Sequence, residues 1–248
     1  EAGALWQLLA RVEPRNAQGE DYLTDVVGLA VAAGRPVEAL PAGAPEEILG
    51  VNDRAQLAAL ERVVQARAAR ALFGQGVTIA DPARVDIRGQ VTAGPDCYVD
   101  VNVVFEGDVR LGAGVHIGPG VVIRDSILGD GVRVEAHTLI DGAEIAEACT
   151  LGPFARLRPG TRLGRDVRIG NFVETKKARL GAGSKANHLA YLGDATIGAD
   201  CNIGAGTVTC NYDGQHKHPT RIGDRVFVGT NSTLVAPLSI ETDAFVAA

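Results

Sequence analysis

Between Asn171 and Gly214 the chain reads NFVETKKARLGAGSKANHLAYLGDATIGADCNIGAGTVTCNYDG, a run that concentrates Glu174, Lys176, Lys177, Lys185, His188, Tyr191, Asn202, Asn211 and Tyr212. A scaffold has no use for these residue types at such density. Histidine titrates near neutrality and can move a proton. The lysines bring charge, and the asparagines and tyrosines bring hydrogen-bonding groups. The set suits an acyl-transfer site. His216-Lys217-His218 also offers two imidazoles to a metal, but no third ligand stands at a suitable spacing.

The elements that must position these groups are repeats. From residue 76 onward an aliphatic residue returns at every sixth position, as in LGAGVH, IGPGVV, LGPFAR, LGRDVR, IGADCN and IGAGTV. Phe105, Leu111, Ile117, Ile123, Leu151, Leu157, Leu163, Ile169, Ile197, Ile203, Ile222, Val228 and Leu234 mark that position. One-residue contractions reset the phase near Ile127–Leu128, Ile140–Ile145, Thr175–Leu180 and Leu192–Ile197. A period of six fits neither strand alternation nor helix spacing, and hexapeptide repetition predicts a parallel β-helix over 76–248. Each turn then holds three short strands with aliphatic side chains inside, and glycines suit the tight corners. Cys149 and Cys201 occupy the small-residue slot of the repeat, which predicts buried thiols.

Residues 1–75 read differently. Leu5, Leu8, Leu9 and Val12 predict a short amphipathic helix, and a second helix is expected from about Tyr22 to Ala33 with Gly34 as its cap. PVEAL at 36–40 reads as a short strand. DRAQLAALERVVQARAARALF predicts a helix with Leu57, Leu60, Val63, Val64 and Ala68 on one stripe and Asn52 as a candidate cap. Helices alternating with strands suggest an α/β domain, of which these residues are too few to be the whole.

Composition bounds the function. Apolar residues make up 46% and aromatics 4% of 248 residues, with 31 glycines, in keeping with thin repetitive turns. A net charge of −6 argues against a general nucleic-acid binder. The four cysteines show no CxxC spacing, no signal peptide opens the chain, and no apolar run approaches the ~20 residues of a membrane span. A cytoplasmic protein with reduced thiols and no membrane contact is the expectation. With no Met, an opening in mid-helix and an end inside the array, the chain is expected to be a fragment.

GPFARLRPG at 152–160, GNFVETKKARLGAGSKANHLAYLGD at 170–194 and CNIGAGTVTCNYDG at 201–214 resemble the bacterial bifunctional N-acetylglucosamine-1-phosphate uridylyltransferase/glucosamine-1-phosphate N-acetyltransferases. NAQGEDYLTD at 16–25 and GVNDRAQLAALERV at 50–63 resemble the end of that family's uridylyltransferase domain. The resemblance covers nearly the whole chain in order. It implies a left-handed parallel β-helix that packs as a homotrimer, preceded by a partial α/β nucleotidyltransferase domain. The expected boundaries are 1–52 for that remnant, 53–75 for a linking helix and 76–248 for the acetyltransferase domain.

The implied reaction acetylates the amine of glucosamine 1-phosphate with acetyl-CoA. The parent enzyme then couples the product to UTP, giving UDP-N-acetylglucosamine for peptidoglycan and lipopolysaccharide. The resemblance makes His188 the general base, and Glu174 could orient it as a carboxylate does in a triad. It assigns Arg158 and Lys176 to the sugar phosphate, the former as a bidentate fork and the latter as a point charge, with Tyr191 and Asn202 on the sugar. Arg156 and Lys177 are expected to be solvated neighbours. Asn211 and Tyr212 match an acetyl-CoA-contacting pair, and the Asn211 amide could also steady an oxyanion. Ala205, Thr230 (where the family often has Ser) and Ala248 match further CoA contacts, and Lys217 is a candidate for the CoA phosphates. Asn52 matches a position that binds magnesium in the uridylyltransferase site, whose Gly-rich loop and partner aspartate are absent from this sequence. Two other readings compete: an acyltransferase with a different acceptor, and a catalytically silent scaffold. The joint presence of Arg158, Lys176, His188, Asn202, Asn211 and Tyr212 favours the enzyme.

Overall fold

The computed structural model describes residues 2–14, 17 and 19–247, which fall into two compact units, 1–52 and 53–248. In the first, helices α1 (Ala2–Leu9) and α2 (Asp25–Ala32) pack together around Leu8 and Ala30. Gly34 ends α2 at φ +70°, and Arg35 N–H reaches back to the Ala30 carbonyl (3.0 Å), the wide loop that closes many helices. A single 3-10 turn follows at Pro45–Ile48. The strand expected at 36–40 does not form: Val37 and Leu40 are exposed, and among the described residues of this unit no strand is present to pair with it.

The second unit opens with α3 (Arg54–Gly74). Its cap is Asp53, whose carboxylate accepts from Gln56 N–H at 2.7 Å, and not Asn52. Its buried face also differs from the expected stripe. Leu57 and Val64 are exposed, while Gln65, Ala69 and Leu72 are buried. Gln65 explains the choice: its side chain accepts from Ile87 N–H (2.6 Å) and donates to Ile87 carbonyl (3.0 Å). The helix thus serves as a hydrogen-bonding partner for the first coil, which has no coil before it.

From Thr78 the chain winds into a parallel β-solenoid whose strands stack coil upon coil in three walls. The first wall is a ten-stranded sheet running from Thr78–Ile79 to Phe245–Val246. The second and third walls form one larger sheet because the long strands Val85–Ala93 and Val103–Leu111 bridge them in the lowest coils. All thirteen apolar residues read from the period, twelve aliphatic and Phe105, are buried inside. Each such Leu or Ile contributes about 1.5–3 kcal/mol relative to exposure. Cys149 and Cys201 are buried as the slot predicts, and burial pushes the Cys149 thiol up to about 11.

The phase contractions all fall at the corner between the second and third walls. Corners are not reserved for glycine: Asp125, His137, Phe154, Phe172, Lys177, Leu189 and Asp194 all take positive φ. The regular hydrogen bonding of the walls on either side holds these residues in the left-handed region, which costs a non-glycine residue energy. The core thins beside the unusual stretch. Thr175, Ala186 and Thr209 hold inward positions there, and the Thr175 hydroxyl pairs with Thr161 Oγ1 at 2.9 Å.

Candidate active site

Parallel register decides which side chains meet. His188 closes the first-wall strand Lys185–His188 and lies in register with Asn171, one coil earlier. Its Nδ1 is 2.8 Å from Asn171 Oδ1. An amide oxygen there requires the Nδ1–H tautomer, which leaves the Nε2 lone pair available to accept a proton.

Glu174 does not fill that orienting role. It sits on the second wall, in register with Arg156 below and Tyr191 above, and its carboxylate accepts from Arg158 Nη1 at 2.7 Å. Both partners are about one-third exposed, at 33% and 32%. The expected Glu174–His188 contact is replaced by two separate pairs, because wall and coil assign each residue its neighbours.

Lys176 follows on the same strand, and the Lys217 ammonium beside it holds Lys176 below the usual lysine range, with Arg158 adding and Asp194 opposing. Lys217 therefore joins the Arg158–Lys176 cations. It is carried by residues 211–219, which leave the solenoid between Cys210 and Thr220. The loop is braced from within. Tyr212 bridges to Lys217 in antiparallel fashion, and the Tyr212 hydroxyl donates to Gly214 carbonyl at 2.6 Å. Asp213 accepts from His216 N–H (2.6 Å), Gln215 N–H (2.8 Å) and His218 Nε2 (2.7 Å), bonds that push its carboxyl far below the ordinary range. His218 is thus engaged inside the loop, and among the described residues no three His, Cys, Asp or Glu side chains gather as metal ligands. Asn52 lies two residues before α3, and among the described residues no such cluster accompanies it.

A groove of about 390 Å³ opens beside His188 on the first wall, lined also by Asn187, Asn202, Ala205, Phe227, Thr230 and Phe245. His188, Asn202, Ala205 and Thr230 are thereby brought together. Arg158, Glu174, Lys176 and Tyr191 share the second wall, where Gly193 leaves room for the Tyr191 ring; a Cβ would lie 2.5 Å from its hydroxyl. Asn211 and Tyr212 do not line the groove. They stand beyond the far edge of the second wall, and the buried Asn211 amide nitrogen donates to Asp194. Ala248 lies outside the described residues.

Asn171, Gly193 and Asp194 escape a motif reading, although a signal for two of them is present. Asn171 precedes His188 by 17 residues and Asp194 precedes Asn211 by 17. One coil of the solenoid there is that long, so stacked partners can be counted off once the coil length is known.

Comparison with known proteins follows the same lines. Residues 87–180 match the model described as the GMPPB C-terminal domain, and residues 219–248 match the hexapeptide repeat of succinyl-transferase. The bifunctional protein GlmU of Alkalilimnicola ehrlichii is 57% identical over 247 residues, 100% of this chain and 53% of that protein. GlmU of Acinetobacter baumannii is 54% identical over 244 residues, 98% of this chain and 54% of its own. Among solved structures, a perosamine N-acetyltransferase from Caulobacter crescentus aligns with 66% of this chain and 62% of its own, at 20% identity and a TM-score of 0.32, too slight a likeness to carry a conclusion. The chain spans about half the length of the curated relatives it matches, and with an alignment that runs through both the helical unit and the solenoid it belongs to the bifunctional GlmU family.

Proposed function

We propose that this chain carries the acetyl-CoA-dependent N-acetylation of glucosamine 1-phosphate. The observation that carries the reading is the pairing of His188 Nδ1 with Asn171, which leaves Nε2 as a proton acceptor in a groove, with a cluster of cations on the adjoining wall. The neutral amine of the sugar attacks the thioester carbonyl carbon and the C–N bond forms. Nε2 of His188 takes the ammonium proton from the tetrahedral intermediate, the C–S bond breaks, and the imidazolium returns that proton to the departing thiolate. Arg158, Lys176 and Lys217 hold the sugar phosphate, Tyr191 and Asn202 hold the sugar, and Glu174 fixes the Arg158 fork. Ala205 and Thr230 flank the CoA arm. The assignment of Lys217 to the sugar phosphate rather than to CoA rests on its place against Lys176.

Asn211 and Tyr212 are assigned to acetyl-CoA on a neighbouring copy's site, and Ala248 is assigned to acetyl-CoA on the resemblance alone. The separation of Asn211 and Tyr212 from the His188 groove within one chain supports a homotrimer of left-handed solenoids that shares its sites between subunits. Residues 1–52 are read as the end of a uridylyltransferase domain and 53–75 as a linking helix. UTP, magnesium and Asn52 belong to the parent's second activity. A cytoplasmic location fits a substrate made and consumed inside the cell. Among the described residues no helix is long and apolar enough to cross a membrane.

Thiol release from acetyl-CoA in the presence of glucosamine 1-phosphate tests the reading. Turnover that requires both substrates is expected, with Arg158→Ala raising the sugar-phosphate KM. An absence of thiol release sinks the reaction, and an unchanged KM removes Arg158 from the phosphate. Sedimentation velocity tests the trimer, which a monomer at micromolar concentration rules out.

A further inference from the structure

The excursion that carries Lys217 makes its coil long: 25 residues separate the stacked Ala199 and Asp224, against 17 for the stacked Asn171 and His188. The added residues have no coil above or below to fix them, so their placement depends on what holds the two ends. Both ends meet Asp194. Its carboxylate accepts from the Asn211 amide nitrogen, where the chain leaves the solenoid. Its carbonyl accepts from Thr220 N–H at 3.2 Å, where the chain returns. Its own N–H donates to the Lys176 carbonyl at 2.9 Å, which ties the same residue to the strand of the lysine that Lys217 faces. Asn211 passes the restraint into the loop, since its carbonyl accepts from His218 N–H at 2.8 Å, one residue past Lys217.

Residue type matters at this corner. Asp194 takes φ +48°, in the left-handed region that Asp, Asn and Gly tolerate best. A carboxylate is otherwise an adverse neighbour for a site that grips phosphate, because its charge opposes an incoming anion. Glu174 offsets that cost by fixing Arg158 at 2.7 Å. Asp194 has no printed ion pair of that kind; what its carboxylate holds is the neutral Asn211 amide at the root of the loop. We infer that Asp194 is a positioning residue for the acceptor: it clasps both ends of the loop and so sets Lys217 against Lys176 for the sugar phosphate. The inference rests on the proposed reading of Lys217 for its ligand and on the three hydrogen bonds of Asp194 for its location.

Two substitutions in the full chain separate the bond from the charge. Asp194→Gly removes the side chain at a conformation glycine accepts, while Asp194→Asn removes the charge and keeps an oxygen for the Asn211 amide. Asp194→Gly should speed amide hydrogen exchange in residues 211–218 about tenfold, with Asp194→Asn close to wild type. In calorimetric titration with glucosamine 1-phosphate, Asp194→Gly should raise the Kd about tenfold, and Asp194→Asn should leave it unchanged or lower it. The sign is diagnostic: loss of a carboxylate by itself favours an anion, so weaker binding reports a displaced loop. On a Lys217→Ala background, Asp194→Gly should add less than about a twofold loss. Unchanged exchange or an unchanged Kd in Asp194→Gly overturns the inference. So does an equal loss in Asp194→Asn, or a full further loss without Lys217. If Asp194→Gly does not fold, Asp194→Ser, whose side chain is one atom shorter, carries the same expectations. A wild-type chain that binds no glucosamine 1-phosphate defeats both this inference and the proposed function. Asp194-dependent binding without thiol release defeats the proposed function alone, and thiol release with binding indifferent to Asp194 defeats this inference alone.

Discussion

At the scale of single residues, the chemistry turns on what each titratable group is allowed to touch. Asn171 gives His188 a neutral partner that fixes the tautomer without adding charge. Asn171→Ala is therefore expected to lower kcat by about ten- to a hundredfold, in line with other losses of orienting partners. Asn171→Asp should move the acidic limb of the kcat/KM profile to higher pH, because a carboxylate at Nδ1 favours the imidazolium and raises its pKa. A limb that stays in place would mean that His188 is not the base. Lys176 supplies a second pH test. Its folded pKa is lowered, first by Lys217, so it loses its charge at a lower pH than an ordinary lysine. The sugar-phosphate KM should accordingly rise as alkaline pH passes through that depressed value. Lys217→Ala should shift the rise to higher pH and raise the KM at neutral pH. Profiles of KM against pH for the two proteins decide this.

At the scale of elements, close backbone approach is what allows stacked pairs to form. A Cβ on Gly170 would lie 1.9 Å from the Asn187 carbonyl, on the same pair of strands that brings Asn171 to His188. Gly170→Ala should destabilise the fold by about 2–4 kcal/mol and lower the melting temperature together with activity; an unaffected melting curve would show that the two strands can part at no cost. The repeat itself was legible in the sequence because it is periodic, and every aliphatic position read from it is buried. Pairings across coils were not, since they depend on coil length and on where each contraction falls. That is why Glu174 looked like a partner for His188 while Asn171, 17 residues upstream, went unread. The buried face of α3 was hidden for another reason. An apolar stripe cannot reveal that the coil beneath needs a hydrogen-bonding glutamine more than a valine. The strand expected at 36–40 had the right residues and, among the described residues of its unit, no sheet to join.

At the scale of the second unit, a solenoid is a stack in which each coil leans on its neighbours, so its ends are the weakest points. Helix α3 covers the lower one. Gln65→Leu, which removes both bonds to the buried Ile87 backbone, should cost about 1–3 kcal/mol and speed amide hydrogen exchange in residues 78–93. Exchange around 171–193 should change little, since coils distant from the end are held from both sides. Equal acceleration in both segments would show that the stack melts as one piece.

The excursion at residues 211–219 separates two kinds of inheritance. Strands on either side of it, Val208–Cys210 and Thr220–Ile222, keep their register with the coils above and below. The loop can be exchanged, lengthened or shortened while the walls that hold His188, Arg158 and Tyr191 stay where they are. The share of the anion grip proposed for Lys217 can thus drift independently of His188 and of the wall cations. In a set of chimaeras carrying loops from relatives, the KM values of both substrates should change first and the pH dependence set by His188 last.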